Sequence, residues 1–328
     1  MTKKIVCFGG GNAMPKAILS ELKKYPVQIT AIASMVDNGG STGQLRKDFD
    51  VLPPGDIRRH LLALSDAPNW KKELWNFRFG HEAFGGGHKG HNFANVFIGG
   101  LEHILKDYSK VLKISHEFLE IKKHRALPAT IKKTQLAAKL ENGKMIFGED
   151  EIDVPKKHNP KLKIRKIYLR PKVKAYPLIL KALKETNLIT IGPGDLYSSL
   201  LPCLLPEGIS RTIQKSKAKK ILVCNTMNKS GETNNFSVLD FANKTEKYLG
   251  ETLDFVIYNR QKISLERIKE YRKKEPLILD PVKIDENLDK KKFIGTRILE
   301  KKEAIVYNPK RLVKLIMSLD DYSPLGKS

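Results

Sequence analysis

The sequence predicts a Rossmann-like α/β fold: a doubly wound, mostly parallel sheet with a small antiparallel insertion. Three observations predict it. Short apolar runs alternate with helically spaced ones near both ends of the chain, glycine-rich turns directly follow several of those runs, and the middle loses both features and gains a hairpin signal.

Residues 3–9 (KKIVCFG) are apolar and β-branched and stop on glycine, which reads as a short buried strand. Residues 14–24 follow with helical spacing, and 28–36 form a second apolar run. Strand, helix, strand in that order is a βαβ unit, which makes a parallel pair with a right-handed crossover. The alternation returns later, with strands expected over 188–192, 219–225 and 253–258. Residues 264–274 read as a charged amphipathic helix, and 309–319 as a final helix with proline in its first turn. Between the two blocks, residues 135–149 hold Asn142-Gly143 between two strand-like runs, the strongest short-range hairpin signal. The basic stretch KKHNPKLKIRK then reads as a loop leading into another strand. The expected organisation is a nucleotide-binding core from 1–110 and 175–328, with a small β-rich insertion over 111–174.

The composition is that of a folded chain: 328 residues, 41% of them hydrophobic. Cys7, Cys203 and Cys224 lie far apart, which argues against a disulfide framework and a structural zinc site. The N-terminal apolar segment is broken by glycines too early for a signal peptide, and Pro193, Asp195 and Pro202 interrupt the longest apolar stretch. A soluble cytoplasmic protein without a membrane span is expected. A net charge of +24 points toward a polyanion such as RNA or an acidic membrane surface. The lysines, however, are spread as pairs and triplets, such as Lys122-Lys123 and Lys290-Lys291-Lys292, without a zinc finger, RNP sequence or basic-region helix. Nucleic acid therefore ranks last among the partners.

In a parallel sheet, ligands bind where strand ends lead into helix N-termini. Gly9-Gly10-Gly11-Asn12 follows the first strand, and its glycines let backbone N–H groups approach a phosphate. It is neither a dinucleotide fingerprint nor a P-loop, and a plain tight turn is the competing reading. Asp37-Asn38-Gly39-Gly40-Ser41 follows the second strand and leads to Arg46. A carboxylate at Asp37 can hold Mg²⁺ or a ribose hydroxyl, and Arg46 can clamp phosphate; the alternative is an acid-capped turn. Asp56, in PPGDIRR, reads as an ordinary first-turn acid. Gly85 to Asn92 forms a further glycine-rich segment, in which His88 and His91 lack an obvious third metal ligand. An anion loop with Gly90, Asn92 and Asn95 is the preferred reading there. Gly192-Pro193-Gly194-Asp195-Leu196-Tyr197 and the segment from Asn225 to Thr233 follow later strands. No nucleophile constellation accompanies these loops, so they offer positioning and charge stabilisation.

Read in order, the segments GGGNA, VDNGGSTGQLR, PPGDIRR, GHKGHNFAN, LPAT, GPGDLYSS and NTMNKSGET resemble the phospholactate transferase superfamily. LPAT and NTMNKSGET are closer to its bacterial gluconeogenesis-factor branch, uridine-diphosphate-sugar-binding proteins linked to cell shape. The resemblance implies a regulatory nucleotide-sugar-binding protein of carbon metabolism and morphogenesis. It also implies that Tyr271 matches a tyrosine associated with the sugar nucleotide. The chain departs from the branch at Asn12-Ala13, at Asn38 where a second acid is common, and at Val306-Tyr307-Asn308-Pro309 in place of arginine–histidine–aspartate–proline. The alternative function is an Mg²⁺-dependent transferase moving a phosphate-linked group from a nucleoside diphosphate to an alcohol, with Asp37 as its catalytic residue. A homo-oligomer is admitted as a further partner.

Overall fold

The computed structural model describes residues 2–80, 90–301 and 304–321. Its strands are β1 (Lys3–Phe8), β2 (Val27–Ala33), β3 (Arg125–Pro128), β4 (Gln135–Leu140), β5 (Met145–Phe147), β6 (Ile164–Arg170), β7 (Leu188–Ile191), β8 (Lys219–Val223), β9 (Met227–Lys229), β10 (Phe255–Asn259), β11 (Ile278–Pro281) and β12 (Phe293–Thr296). Seven of them form one sheet in the order β12-β10-β8-β7-β1-β2-β3. Every neighbouring pair in it is parallel. β7 is buried throughout, and β2 and β8 nearly so, which is why these strands read as continuous apolar runs rather than alternating ones.

The connectivity positions the site. The chain runs outward from β1 through β2 to β3, returns to the middle at β7, and runs outward the other way through β8, β10 and β12. The reversal falls between β1 and β7, where a doubly wound sheet opens a crevice beyond its strand ends. Phe8 and Ile191 are register partners, and the Gly192 N–H donates to the Phe8 carbonyl at 2.9 Å. The two glycine-rich loops therefore leave the sheet side by side.

The expected first helix is present, with a widened turn. Over 14–24 the chain forms a widened π-turn at Pro15–Leu19 and one α-turn at Ser20–Leu22. The Pro15 carbonyl accepts both the backbone N–H of Ser20, five residues on, and its hydroxyl at 2.9 Å, which holds the wider turn. Later helices follow the sequence reading. Ser264 caps Leu265–Lys274 by accepting the Arg267 N–H, and Asn308 accepts the Arg311 N–H at the start of Pro309–Asp321.

The strands β5-β4-β6 make a separate antiparallel sheet, with the expected turn at Asn142-Gly143 between β4 and β5. The first part of the stretch 111–174 includes β3, which pairs with β2 in the main sheet; the antiparallel part spans 135–170. A third, two-stranded sheet of β9 and β11 has strands too short for periodicity to show. No helix among the described residues is long and apolar enough to cross a membrane. All three cysteines are buried and free.

Candidate functional site

The loops at the strand ends converge on one cleft of about 1560 Å³. Gly10, Gly11 and Asn12 line it from β1, Asp37 to Ser41 from β2, Gly194 and Asp195 from β7, and Asn225 from β8; Gly90 and Tyr271 complete the sequence-predicted residues in its wall. Close approach explains two of the glycines. A Cβ on Gly10 would lie 2.4 Å from the Ser199 hydroxyl and 2.5 Å from Asp56 Oδ2, and a Cβ on Gly55 would lie 2.3 Å from Asp37 Oδ2.

Six predicted residues lie behind the cleft wall instead of in it. Gly9 packs against Met14, and Gly192 against the Val223 carbonyl. The Arg46 guanidinium, read as a phosphate clamp, donates to the carbonyls of Asp37 (2.9 Å) and Thr134 (3.2 Å), tying the second loop to the approach of β4. Asn92 caps the helix Phe93–Leu105 and donates to the Asn76 carbonyl at 3.0 Å. Asn95 is buried and donates to the Ser41 hydroxyl at 3.2 Å. Tyr197 is fully buried, its hydroxyl directed at the Ile164 carbonyl. These residues position the loops. Gly85 to Lys89, including His88, lie outside the described residues.

The cleft is unusually acidic for a chain of net charge +24. Asp56, read as a first-turn acid, is buried and takes a structural and electrostatic role: Oδ1 accepts the Gly11 N–H at 3.0 Å and pairs with Arg59 at 2.5 Å. Burial, with repulsion from Asp56, holds the Asp37 carboxyl above the ordinary range. Burial, then Asp37 and other acids, push Glu149 up to about 10. Asn38 stands where a second acid would face them. Its side chain donates to Asp150 Oδ1 at 2.6 Å and accepts the Asp150 N–H at 2.9 Å, clasping the second loop to the helix after β5.

A second group of acids, Asp153, Asp195 and Glu232, brings three carboxylate oxygens within 4.8 Å of one another. Here the cation is built in. The Lys229 ammonium bonds Asp153, lies 2.8 Å from Asp195 and 3.4 Å from Glu232. Glu232 also accepts the backbone N–H groups of Tyr197 (2.7 Å) and Ser198 (3.1 Å). These partners pin the loop after β7 against the segment from Asn225 to Thr233. At the far end of the cleft, Tyr271, Ile278, Ile305 and Val306 give a more apolar wall. Tyr307, in the segment that departs from arginine–histidine–aspartate–proline, donates its hydroxyl to the Cys224 carbonyl at 2.9 Å, and Asn308 donates to Glu300 at 3.0 Å.

A family model described as 2-phospho-L-lactate transferase CofD matches residues 5–302. The chain belongs to the CofD family. It is 33% identical over 321 residues to the gluconeogenesis factor of Halalkalibacterium halodurans, covering 96% of each chain. It is 32% identical to that of Bacillus subtilis, covering 96% of this chain and 98% of the relative. The crystal structure of a UPF0052 protein from Bacillus halodurans superposes with a TM-score of 0.86 at 30% identity, covering 97% of this chain and 99% of that one.

Within this CofD-family cleft, sequence reasoning missed Glu149, Asp153, Lys229, Glu232 and the part played by Asp56 and Arg59. Lys229 and Glu232 carried a usable signal, since a Lys and a Glu three residues apart flank Ser230-Gly231 just after a strand end. Glu149 and Asp153 carried none: they follow β5 of the small sheet, and only the fold brings Glu149 to Asp37 and Asp153 to Lys229.

Proposed function

We propose that the chain is a regulatory binding protein of the gluconeogenesis-factor type, and that its cleft takes a nucleoside diphosphate-linked ligand such as a uridine-diphosphate sugar. One observation carries this reading: the loops after β1 and β7 meet at the topological switch point, with Gly10 and Gly194 backbones facing each other across its mouth. Phosphates would lie against the backbone of Gly10 to Asn12 and Gly194, and the nucleoside against Tyr271, Ile278 and Ile305. The gluconeogenesis-factor relatives support a role in carbon metabolism; the motif resemblance extends it to morphogenesis, in the cytoplasm.

A diphosphate beside Asp37, Asp56 and Glu149 calls for a counter-ion. The donor set is hard carboxylate oxygen, and burial first, then the neighbouring acids, raises the Asp37 and Glu149 carboxyls. Asp37, at the cleft wall, would hold Mg²⁺ together with phosphate oxygens of the ligand, and the ion would neutralise phosphate charge; Asp56 is already engaged by Arg59 and the Gly11 N–H. The Asp153–Asp195–Glu232 group fits it less well, because Lys229 already supplies the charge. The same Asp37 supports a second reading, the transferase of the family model's description, in which the carboxylate holds the metal or orients an acceptor hydroxyl.

Thermal melting with uridine and guanosine nucleotides and their sugar conjugates, in Mg²⁺ or in chelator, tests the proposal. A uridine-diphosphate sugar with Mg²⁺ should raise Tm; at one hundred times Kd the stabilisation is about 2.7 kcal/mol. No shift with any nucleotide at millimolar concentration refutes it.

A further inference from the structure

The small sheet has a free face. Strand alternation and register place Phe147, Ala137 and Tyr168 in one row across β5, β4 and β6. The next row toward the β4 N-terminus pairs Gln135 with Arg170, and the row on the other side pairs Lys139 with Met145 and Lys166. The opposite face, with Leu136, Ala138, Ile146, Ile167 and Leu169, is buried in the core. On the free face Gln135, Lys139, Lys166 and Arg170 are exposed, Phe147 keeps 45% of its surface in solvent, Tyr168 is half-buried, and Ala137 between them is covered. The Arg170 guanidinium spans the aromatic row, 5.6 Å from the Phe147 ring centre and 5.8 Å from that of Tyr168.

One feature sets this face apart from the rest of a basic surface, and a second leaves its charge open to a partner. Lys139 and Lys166 stand directly opposite each other, a like-charge pair that costs the sheet stability unless something anionic covers it. No described carboxylate pairs with Lys139, Lys166 or Arg170. The acids of the same segment point elsewhere: Glu149 and Asp153 line the cleft, and Glu141 accepts the Lys163 N–H at the sheet's end.

We infer that the free face of β5-β4-β6 binds single-stranded nucleic acid, with unpaired bases on Phe147, Tyr168 and the Arg170 plane and phosphates on Lys139 and Lys166. The charge favours a polyanion, and the aromatic row selects a single strand. Ring faces stack on unpaired bases, whereas a duplex keeps its bases covered. An anionic membrane would be met by the same charges, but one half-exposed phenylalanine offers little to insert. This site is independent of the cleft and does not rest on the nucleotide-sugar reading.

Fluorescence anisotropy with a labelled twenty-residue oligouridylate, a duplex RNA of equal length, and sedimentation with phosphatidylserine-containing vesicles tests it. The single strand should bind more tightly than the duplex. F147A/Y168A should weaken it about tenfold or more. K139Q/K166Q should weaken it comparably and reduce the slope of log K against log salt by about 1.4, at roughly 0.7 per lost phosphate contact. The control K290Q/K291Q, on exposed lysines elsewhere, should stay within about twofold of wild type. Melting curves check that each variant is folded; if F147A/Y168A is not, F147L/Y168L replaces it. Equal weakening by the control, no effect of the aromatic variant, preference for duplex, or capture by vesicles without oligouridylate binding would each overturn the inference.

Discussion

The cleft and the free face of the small sheet carry opposite charge within one segment of chain. Residues 135–170 supply Lys139, Lys166 and Arg170 to one surface and Glu149 and Asp153 to the other. The cleft buries Asp56 and Glu232 and half-buries Asp37, Glu149, Asp153 and Asp195, so it needs positive charge brought in: Lys229 and Arg59 supply part of it permanently. The outer face leaves its cations in water, where each is tolerated singly. The difference teaches that a net charge of +24 says little about any one site. A buried charge demands a partner, whereas an exposed one only favours a partner.

The largest expected effect tests the built-in cation. Lys229→Met leaves Asp153, Asp195 and Glu232 without their ammonium and should cost about 3–5 kcal/mol of unfolding free energy by denaturant titration. A loss below about 1 kcal/mol would mean the three acids are already protonated or solvated, and the comparison would lose its buried side.

Acid should act on the interior before it touches the basic face. His60, beneath the cleft on the helix Gly55–Leu64, is fully buried with neither ring nitrogen bonded among the described residues, and burial lowers it to about 4. Its unfolded value lies near 6.5, so between those pH values the unfolded chain binds the extra proton. Stability is therefore fully present above about 6.5 and falls as pH drops toward 4, by up to about 3 kcal/mol from this group. His60→Leu should flatten that part of the stability–pH curve; an unchanged slope would assign it to other groups.

A Cβ at Gly10 has no room between Ser199 and Asp56. Gly10→Ala should cost about 1–3 kcal/mol of stability and abolish nucleotide-dependent stabilisation, while leaving oligouridylate binding at the outer face intact. Loss of both activities together would show that the two regions are not separate. The smallest effect is expected at Lys139→Glu, which replaces a like-charge pair with an opposite one and should raise stability by about 0.2–1 kcal/mol.

The fold was legible because its signals are local. Apolar runs ending in glycine located β1 and β7, a run ending at Asn225 located β8, and Asn142-Gly143 located the hairpin. The first helix lies where its spacing placed it, but that spacing does not distinguish an α-turn from the π-turn that Ser20 and Pro15 stabilise. The site was legible where backbone does the work, at Gly10, Gly11, Gly39 and Gly194. It was illegible where side chains from distant segments meet. Arg46 and Tyr197 carry suitable chemistry but point at carbonyls, and Asp56 and Lys229 acquire their partners only through the fold. The lysines looked evenly scattered in sequence, and register alone aligns Lys139 with Lys166.

The central claim is that the cleft binds a nucleoside diphosphate-linked ligand with the help of a divalent cation and does not turn it over. Calorimetric titration of a uridine-diphosphate sugar into wild type and Asp37→Ala, with Mg²⁺ or chelator, tests it most directly when free nucleotide is followed in the same mixture. The account predicts one-site binding by wild type that weakens markedly in chelator, a smaller loss of affinity in Asp37→Ala, and no sustained nucleotide release by either. Absence of binding heat with any uridine or guanosine nucleotide would contradict the cleft assignment. Sustained release by wild type that disappears in Asp37→Ala would contradict the regulatory reading in favour of a transferase.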